Sequence, residues 1–480
     1  MVEFTESVGR PVAVSLGVTA RRGPLIGVAA VLATVTNAVS FMLPPLLPLM
    51  QAQFRLGVSA SAWIFTALTL GGGAGFVVLP RLADVLNDRT TALLSGGFLT
   101  GGALVAAIGN SYPALLIGST LLGFGSAAQL LPLGFLRRHL SGSAVATAVS
   151  VLIMFTGAGV VAGMVGGGLT VKTLSLATFF YILAAVFAAT TIALVVIVPA
   201  SRPESSGRIG IGGTVWLIAW VAAVLLALTQ GVSWGTAAIV LLIAGLAGGV
   251  LWALAQRRSS SAVFDVTLLK RPYVPTACLA AGLFGAIDAA FLLLVTYYTQ
   301  TPAQAGYGLG VDALGTGLLM LPFALMMFVG GKAAEKVVQH GHPGLVLVIG
   351  AAVSAAGLGW LAVAHAHPWQ YLIGAALVGA GSRVGYSGAF AVPQLVVPEH
   401  KAGMAAGMAG TTMAIGFAVG SAIITTLLTA ATIGNTGVPQ PWLYTVGYLV
   451  TVAFALVVLA AALISRLRHP GEFQALLQKS

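Results

Sequence analysis

Two ionisable residues lie deep inside long apolar runs of this chain: Asp288 within Val274–Tyr298 and Arg383 within Trp369–Val392. At about 1.5 Å of helical rise per residue, Asp288 falls on the order of 20 Å from the end of its run and Arg383 on the order of 15 Å. A charge at that depth in lipid costs about 2.5–3.5 kcal/mol, so each side chain must turn inward and find a partner. The two are placed to pair. Protonating Asp288 would then free Arg383 and change the charge offered to a polar or anionic group, which is the chemistry of a proton-linked binding site. A static salt bridge that fixes packing is the plainer use of the same pair.

Other runs carry side chains suited to a variable, apolar ligand: Asn37, Phe41, Gln129, Met154, Phe155, Tyr297, Met320 and Tyr386. Aromatic and methionine groups with a few polar neighbours make such a surface, and each taken alone also fits ordinary helix packing. Other chemistries find no support. His340 and His342, like His365 and His367, stand two apart without an acidic or thiol neighbour, so no metal site is expected. Gly331-Lys332 lacks the earlier glycine and the hydroxyl residue of a phosphate loop, and no His-Glu-x-x-His run occurs. Neither an ATP-driven pump nor an enzyme is expected, nor any cofactor. With Asp288 as the titrating group, a proton gradient is the expected energy source.

The elements that must hold these residues follow from composition. Of 480 residues 58% are hydrophobic and 7% charged, whereas a soluble domain carries about 25% charged residues to face water. A bilayer core takes about 20 apolar residues per helix. Such runs recur at Pro24–Met50, Ser59–Leu79, Thr91–Gly109, Tyr112–Leu136, Ser143–Leu169, Leu174–Val198 and Thr214–Gln230. They continue at Thr236–Ala255, Val274–Tyr298, Ala313–Gly331, Gly344–Ala364, Trp369–Val392, Ala402–Ala430 and Pro441–Ser465. An all-α polytopic membrane protein of fourteen spans is expected; the runs are too long and continuous for barrel strands. Of the 22 Lys and Arg residues, only Arg55 and Lys172 fall in alternate loops and only Arg383 inside a span, so the rest gather on one side. Cytoplasmic loops are enriched in this way, which places both termini in the cytoplasm and the protein in the inner or plasma membrane. The net charge of +11 is therefore topological and argues against nucleic acid. The expected partners are the lipid bilayer, protons and a small-molecule substrate, bound by a monomer.

Parts of the chain repeat. Gly123-Phe124-Gly125-Ser126 returns as Gly379-Ala380-Gly381-Ser382, Gly159 and Gly163 return as Gly416 and Gly420, and Asp84 has Glu335 as its counterpart. The offset stays near-constant. This divides the chain into a six-helix bundle over 1–198, two inserted helices over 199–273 and a second six-helix bundle with a tail over 274–480. Repeated halves around a midplane site are typical of secondary transporters. Glycines four apart let helices meet closely, whether to slide or simply to pack. Between the inserted pair and the second half, Phe264, Leu268 and Leu269 alternate with Arg257, Arg258, Asp265, Lys270 and Arg271, which suits a short surface helix or a plain linker.

These motifs resemble the major facilitator superfamily, in particular its fourteen-span drug:proton antiporter branch. In that superfamily the loop after span two reads Gly-x-Leu-Ala-Asp-Arg-x-Gly-Arg-Arg; Leu82, Ala83, Asp84 and Arg89 match it, and both glycines and the central Arg are lost. The resemblance makes Asp84, Arg89 and Glu335 gating residues. The span-five antiporter motif Gly-x-x-x-Gly-Pro-x-x-Gly-Gly is matched by Gly159, Gly163, Gly167 and Gly168, with Met164 in place of Pro. It implies export. The segment Phe264 to Tyr273 resembles the one that follows the inserted pair. The family's usual Arg in span four is Ser119 here, and Val35, Thr36 and Asn37 stand where a span-one acid is common. The family architecture puts Asp288 and Arg383 on spans lining the second half's cavity. Proton-coupled export of a hydrophobic or amphipathic small molecule by alternating access is the implied function. A facilitator or symporter for a polar or anionic solute and a non-transporting sensor or scaffold are the alternatives.

Overall fold

A computed structural model of the chain describes residues 22–130, 155–169, 174–197, 211–258, 266–327, 329, 343–397, 402–434 and 437–468. Each apolar run contains a helix. In chain order these are α1 Arg22–Phe54, α2 Val58–Val85, α3 Asp88–Gly109, α4 Tyr112–Ser126, α5 Phe155–Leu169, α6 Leu176–Ile197 and α7 Ile211–Trp234. They continue as α8 Thr236–Arg258, α9 Val274–Gln300, α10 Ala313–Leu319 resuming over 321–327, α11 Pro343–Val363, α12 Pro368–Val396, α13 Ala402–Thr429 and α14 Trp442–Arg468. Among the described residues, eight helices are by themselves long and apolar enough to cross a bilayer. Helices are what lipid demands, because no water is present to satisfy backbone groups. Several buried hydroxyls are satisfied by bonding one turn back, as Thr36 does to the Leu32 carbonyl at 2.6 Å and Thr451 to that of Gly447 at 2.7 Å.

Local chemistry sets the breaks. Asn87 accepts from the Thr90 N–H at 2.7 Å to start α3, and Asp312 accepts from that of Gly315 at 2.7 Å to start α10. α10 is interrupted at Met320 just before Pro322, whose ring can offer no N–H to the preceding turn. Pro44, Pro45 and Pro48 are accommodated inside α1 and Pro393 inside α12. Gly231-Val232-Ser233-Trp234-Gly235 spells the Gly-x-Ser-x-Gly of a hydrolase elbow, but it lies at the α7–α8 helical turn and not between a strand and a helix.

The sequence repeat reappears as a repeat of contacts. Gly159 and Gly163 seat α5 on the backbone of α1 at Thr34 and Ala38; Gly416 and Gly420 seat α13 on α9 at Gly282 and Ala286. A Cβ on Gly163 would stand 2.5 Å from the Ala38 carbonyl oxygen, so the approach is closed to any larger residue. Likewise Gly123 of α4 meets α2 and Gly125 meets α3, while Gly379 of α12 meets α10 and Gly381 meets α11.

α7 lies against both α2 and α13, with Leu217, Val221 and Leu225 packed on Ala418 and Ala422, and with Thr426 donating to the Leu228 carbonyl at 2.8 Å. α8 is peripheral, and Ile239, Val240, Ile243, Leu246 and Val250 stand exposed along it. Such a stripe suits lipid and not water. In the segment before α9, a short helical turn at Val266–Lys270 buries Leu268 against Val274 and Cys278.

The two halves meet near the ends of α1 and α9 that precede 55–57 and 301–312. Ser61 of α2 and the Tyr297 hydroxyl lie 2.7 Å apart, Thr66 of α2 and Ser421 of α13 2.9 Å apart, and Gln300 donates to the Pro45 carbonyl at 3.0 Å. Gly317 and Gly168 close α10 onto α5. Behind this closed end Tyr298 is the hub of an aromatic cluster with Tyr307, His365, Tyr371 and Tyr444. Burial holds the His365 imidazole below its ordinary value of 6.5, its Nδ1 bonded to the Leu361 carbonyl at 2.7 Å.

Candidate functional site

One to two helical turns from the closed contacts, three phenyl rings from both halves form a layer. Phe323 of α10 stacks on Phe291 of α9 with centroids 5.1 Å apart and meets Phe41 of α1 at 6.3 Å. Asp288 lies on α9 one turn beyond Phe291, on the side away from the closed end, and has no exposed surface. Its rotation is set by Gly282 and Gly285, which press α9 onto α13. That leaves the carboxyl group facing α12, where the Ser382 hydroxyl donates to Oδ1 at 2.6 Å. The Tyr386 hydroxyl stands beside the same carboxyl group, yet both it and Oδ2 are buried without a well-aligned hydrogen bond. Gly385 makes room for the Phe284 ring, which packs 5.8 Å from that of Tyr386 and holds it in place.

Arg383 does not join this group. Asp288 is engaged by Ser382, the Arg383 Nε is buried without a partner, and no ion pair links the two side chains among the described residues. The reason is helical geometry. Residues 382 and 386 are four apart and share a face, whereas 383 is turned by about 100° from 382. Arg383 remains partly exposed, on the flank of α12 shared with Gly379, which meets Phe323. The pairing read from depth alone is replaced by a contact of Asp288 with Ser382 and Tyr386.

The other expected residues divide. Phe41, Tyr297, Met320 and Tyr386 are buried at the meeting of the halves or beside Asp288. Tyr297 serves the closed end through Ser61, while Asn37 is spent locally, donating to the Ala33 carbonyl at 2.9 Å. The Phe155 carbonyl accepts from Thr34 at 3.1 Å, and Gln129 is half-buried in the helical turn after α4. Gly159, Gly163 and Gly167 all face α1, and Gly168 faces Ala313 and Leu314 of the other half. Arg89 is exposed in the first turn of α3. Met154, Glu335 and the Asp84 side chain lie outside the described residues. Sequence reasoning missed Ser382, a small residue in a glycine-rich run; its spacing of four from Tyr386 was the available signal.

Comparison with known proteins agrees with this architecture. The family model described as Major Facilitator Superfamily matches residues 29–223 and 203–421. The chain belongs to this superfamily. Its members are transporters and not enzymes, and the chain is a multi-pass membrane protein. It is similar to "Multidrug resistance protein Stp" of Mycobacterium tuberculosis, 25% identical over 391 residues, covering 80% of this chain and 72% of that protein. It is similar to "Tetracenomycin C resistance and export protein" of Streptomyces glaucescens, 25% identical, covering 82% and 73%. "Multidrug efflux pump LfrA" of Mycolicibacterium smegmatis is 27% identical, covering 82% and 78%. Among solved structures, a POT family transporter in complex with 5-aminolevulinic acid superposes with a TM-score of 0.69 at 12% identity over 94% of this chain and 96% of that one. The nucleoside transporter NupG gives 0.63 at 14% identity over 92% and 99%. These likenesses are of fold.

Proposed function

We propose that this superfamily member is a proton-coupled exporter of hydrophobic or amphipathic small molecules, crossing the plasma membrane fourteen times as a monomer with both termini in the cytoplasm. The relatives named for drug resistance and efflux support export. The observation that carries coupling is Asp288: of the eleven acidic residues it alone falls within an apolar run, fully buried, with one carboxyl oxygen unpaired. With Lys- and Arg-rich loops inside, the closed end is the outer one, and the phenyl layer separates Asp288 from the outside. Proton and substrate alternate there. A carboxylate favours a cationic or hydrogen-bond-donating group of the substrate from the cytoplasm, and a proton arriving from outside displaces it. Opening the outer end requires the Ser61–Tyr297, Thr66–Ser421 and Gln300–Pro45 contacts to part as one half rocks on the other.

The test is uptake of lipophilic drugs into inverted membrane vesicles whose lumen is acidified. Wild-type vesicles accumulate substrate and Asp288→Asn vesicles do not, although the variant is present and folded; accumulation by the variant would refute the assignment. The unpartnered Nε of Arg383 favours a second reading, a facilitator or symporter for an anionic solute. Counterflow of an anion without a gradient, lost in Arg383→Gln, would select that reading.

A further inference from the structure

We infer that Ser382 and Tyr386 are positioning residues that keep a proton exchangeable on Asp288, the tyrosyl hydroxyl reversing its hydrogen bond as the proton comes and goes. The inference rests on Asp288 being the exchanging carboxyl and specifies how that group is served by its neighbours. Residues 382 and 386 occupy one face of α12 towards α9, so the two hydroxyls reach the carboxyl group from one side of the helix contact. Ser382 donates to Oδ1. Oδ2 and the Tyr386 hydroxyl, adjacent and both buried, are the pair left open.

A tyrosyl hydroxyl is both donor and acceptor. With the proton on Oδ2, the carboxyl O–H donates to the Tyr386 oxygen. With the proton gone, the Tyr386 O–H donates to the carboxylate. The proton enters and leaves at Oδ2, no other bond changes, and the serine donates throughout. Each protonation state is thus matched by a partner, where an apolar neighbour would leave one of them unsatisfied in the core. The Phe284 ring and Gly385 hold Tyr386 against the site, which a freely turning side chain would leave.

Few other groups compete. On α12 the next ionisable residue, Arg383, is turned to another flank. The stretches of α1, α10 and α13 inside their apolar runs contain no ionisable residue. The Tyr444 and Tyr448 rings of α14 and Tyr298 of α9 belong to the aromatic cluster at the closed end, the Tyr297 hydroxyl is engaged by Ser61, and Cys278 lies near the opposite end of α9.

An infrared titration of the purified full chain in liposomes tests this without knowledge of the substrate. The carbonyl stretch of a protonated buried carboxylic acid is followed against pH. The band is expected in the wild type and absent from Asp288→Asn. In Tyr386→Phe and in Ser382→Ala, each lacking one donor to the carboxylate, its midpoint is expected to rise by on the order of one pH unit, and Ser382→Thr restores the wild-type midpoint. Should Tyr386→Phe not assemble, the two Ser382 variants carry the test. A band lost in Asp288→Asn with an unmoved midpoint in either hydroxyl variant overturns the inference and leaves Asp288 as the proton site. A band that survives in Asp288→Asn overturns that assignment itself.

Discussion

At the residue scale, the tasks of Asp288, Ser382, Tyr297 and Ser61 can be read from their contacts in this membrane interior. Asp288 could be picked out of the sequence because a carboxyl group in an apolar run is costly. Its partner could not. Depth is read from residue number, but facing depends on how Gly282 and Gly285 seat α9 on α13, a contact that only folding reveals. The hydrogen bond of Tyr297 to Ser61 is a separate device, tying the first half to the second. A single such bond contributes about 0.5–1.5 kcal/mol. Tyr297→Phe is therefore expected to weaken the closed outer end by about two- to tenfold in equilibrium, seen as faster labelling, from the outer side, of a cysteine introduced at the buried Met320, which leaves Ser61 in place. An unchanged labelling rate would mean the bond bears no load. His365 gives a pH prediction of its own. Its native imidazole titrates below the ordinary value of 6.5, so the neutral form belongs to the folded state beside Tyr298 and Tyr448. The stability it lends is present above that value and is lost as pH falls below it towards the lowered one. The melting temperature in detergent should drop as pH falls below about 6.5, and His365→Gln should flatten that drop.

At the scale of elements, glycine positions decide which helices touch. The spacing of Gly159, Gly163 and Gly167 predicted a smooth helix face, and the structure gives that face an address, the backbone of α1. Gly163→Ala should lower the melting temperature and transport together, because the added methyl meets the Ala38 backbone. Gly166→Ala, in the same helix with open space where its Cβ would stand, should do neither. Thermal melts and vesicle transport on the two variants check the contrast; equal behaviour would deny that α5 is fixed by close approach. The same positions made the repeat legible, since the paired glycines of α4 and α12 and of α5 and α13 make corresponding contacts. The break in α10 at Met320 falls two residues before Pro322, a residue that cannot donate to the preceding turn. The role of α7 was not foreshadowed: an apolar helix in an apolar chain has no pattern that says which neighbours it chooses, and here it lies along both α2 and α13.

At the scale of the molecule, a closed end, a phenyl layer contributed by both halves and a carboxyl group with a spare oxygen beyond that layer stand in series. Composition and the length of the apolar runs were enough for the membrane fold, because lipid leaves few alternatives to helices. The working centre needed the packing. The most direct test of the central claim, that Asp288 carries the exchanged proton, is proton movement itself. Purified protein is placed in liposomes enclosing a pH-sensitive dye, and a transported drug is added without an imposed gradient. Drug movement is expected to drive protons the opposite way in the wild type, and Asp288→Asn is expected to move none. Drug-driven proton flux of wild-type size through Asp288→Asn would contradict that claim.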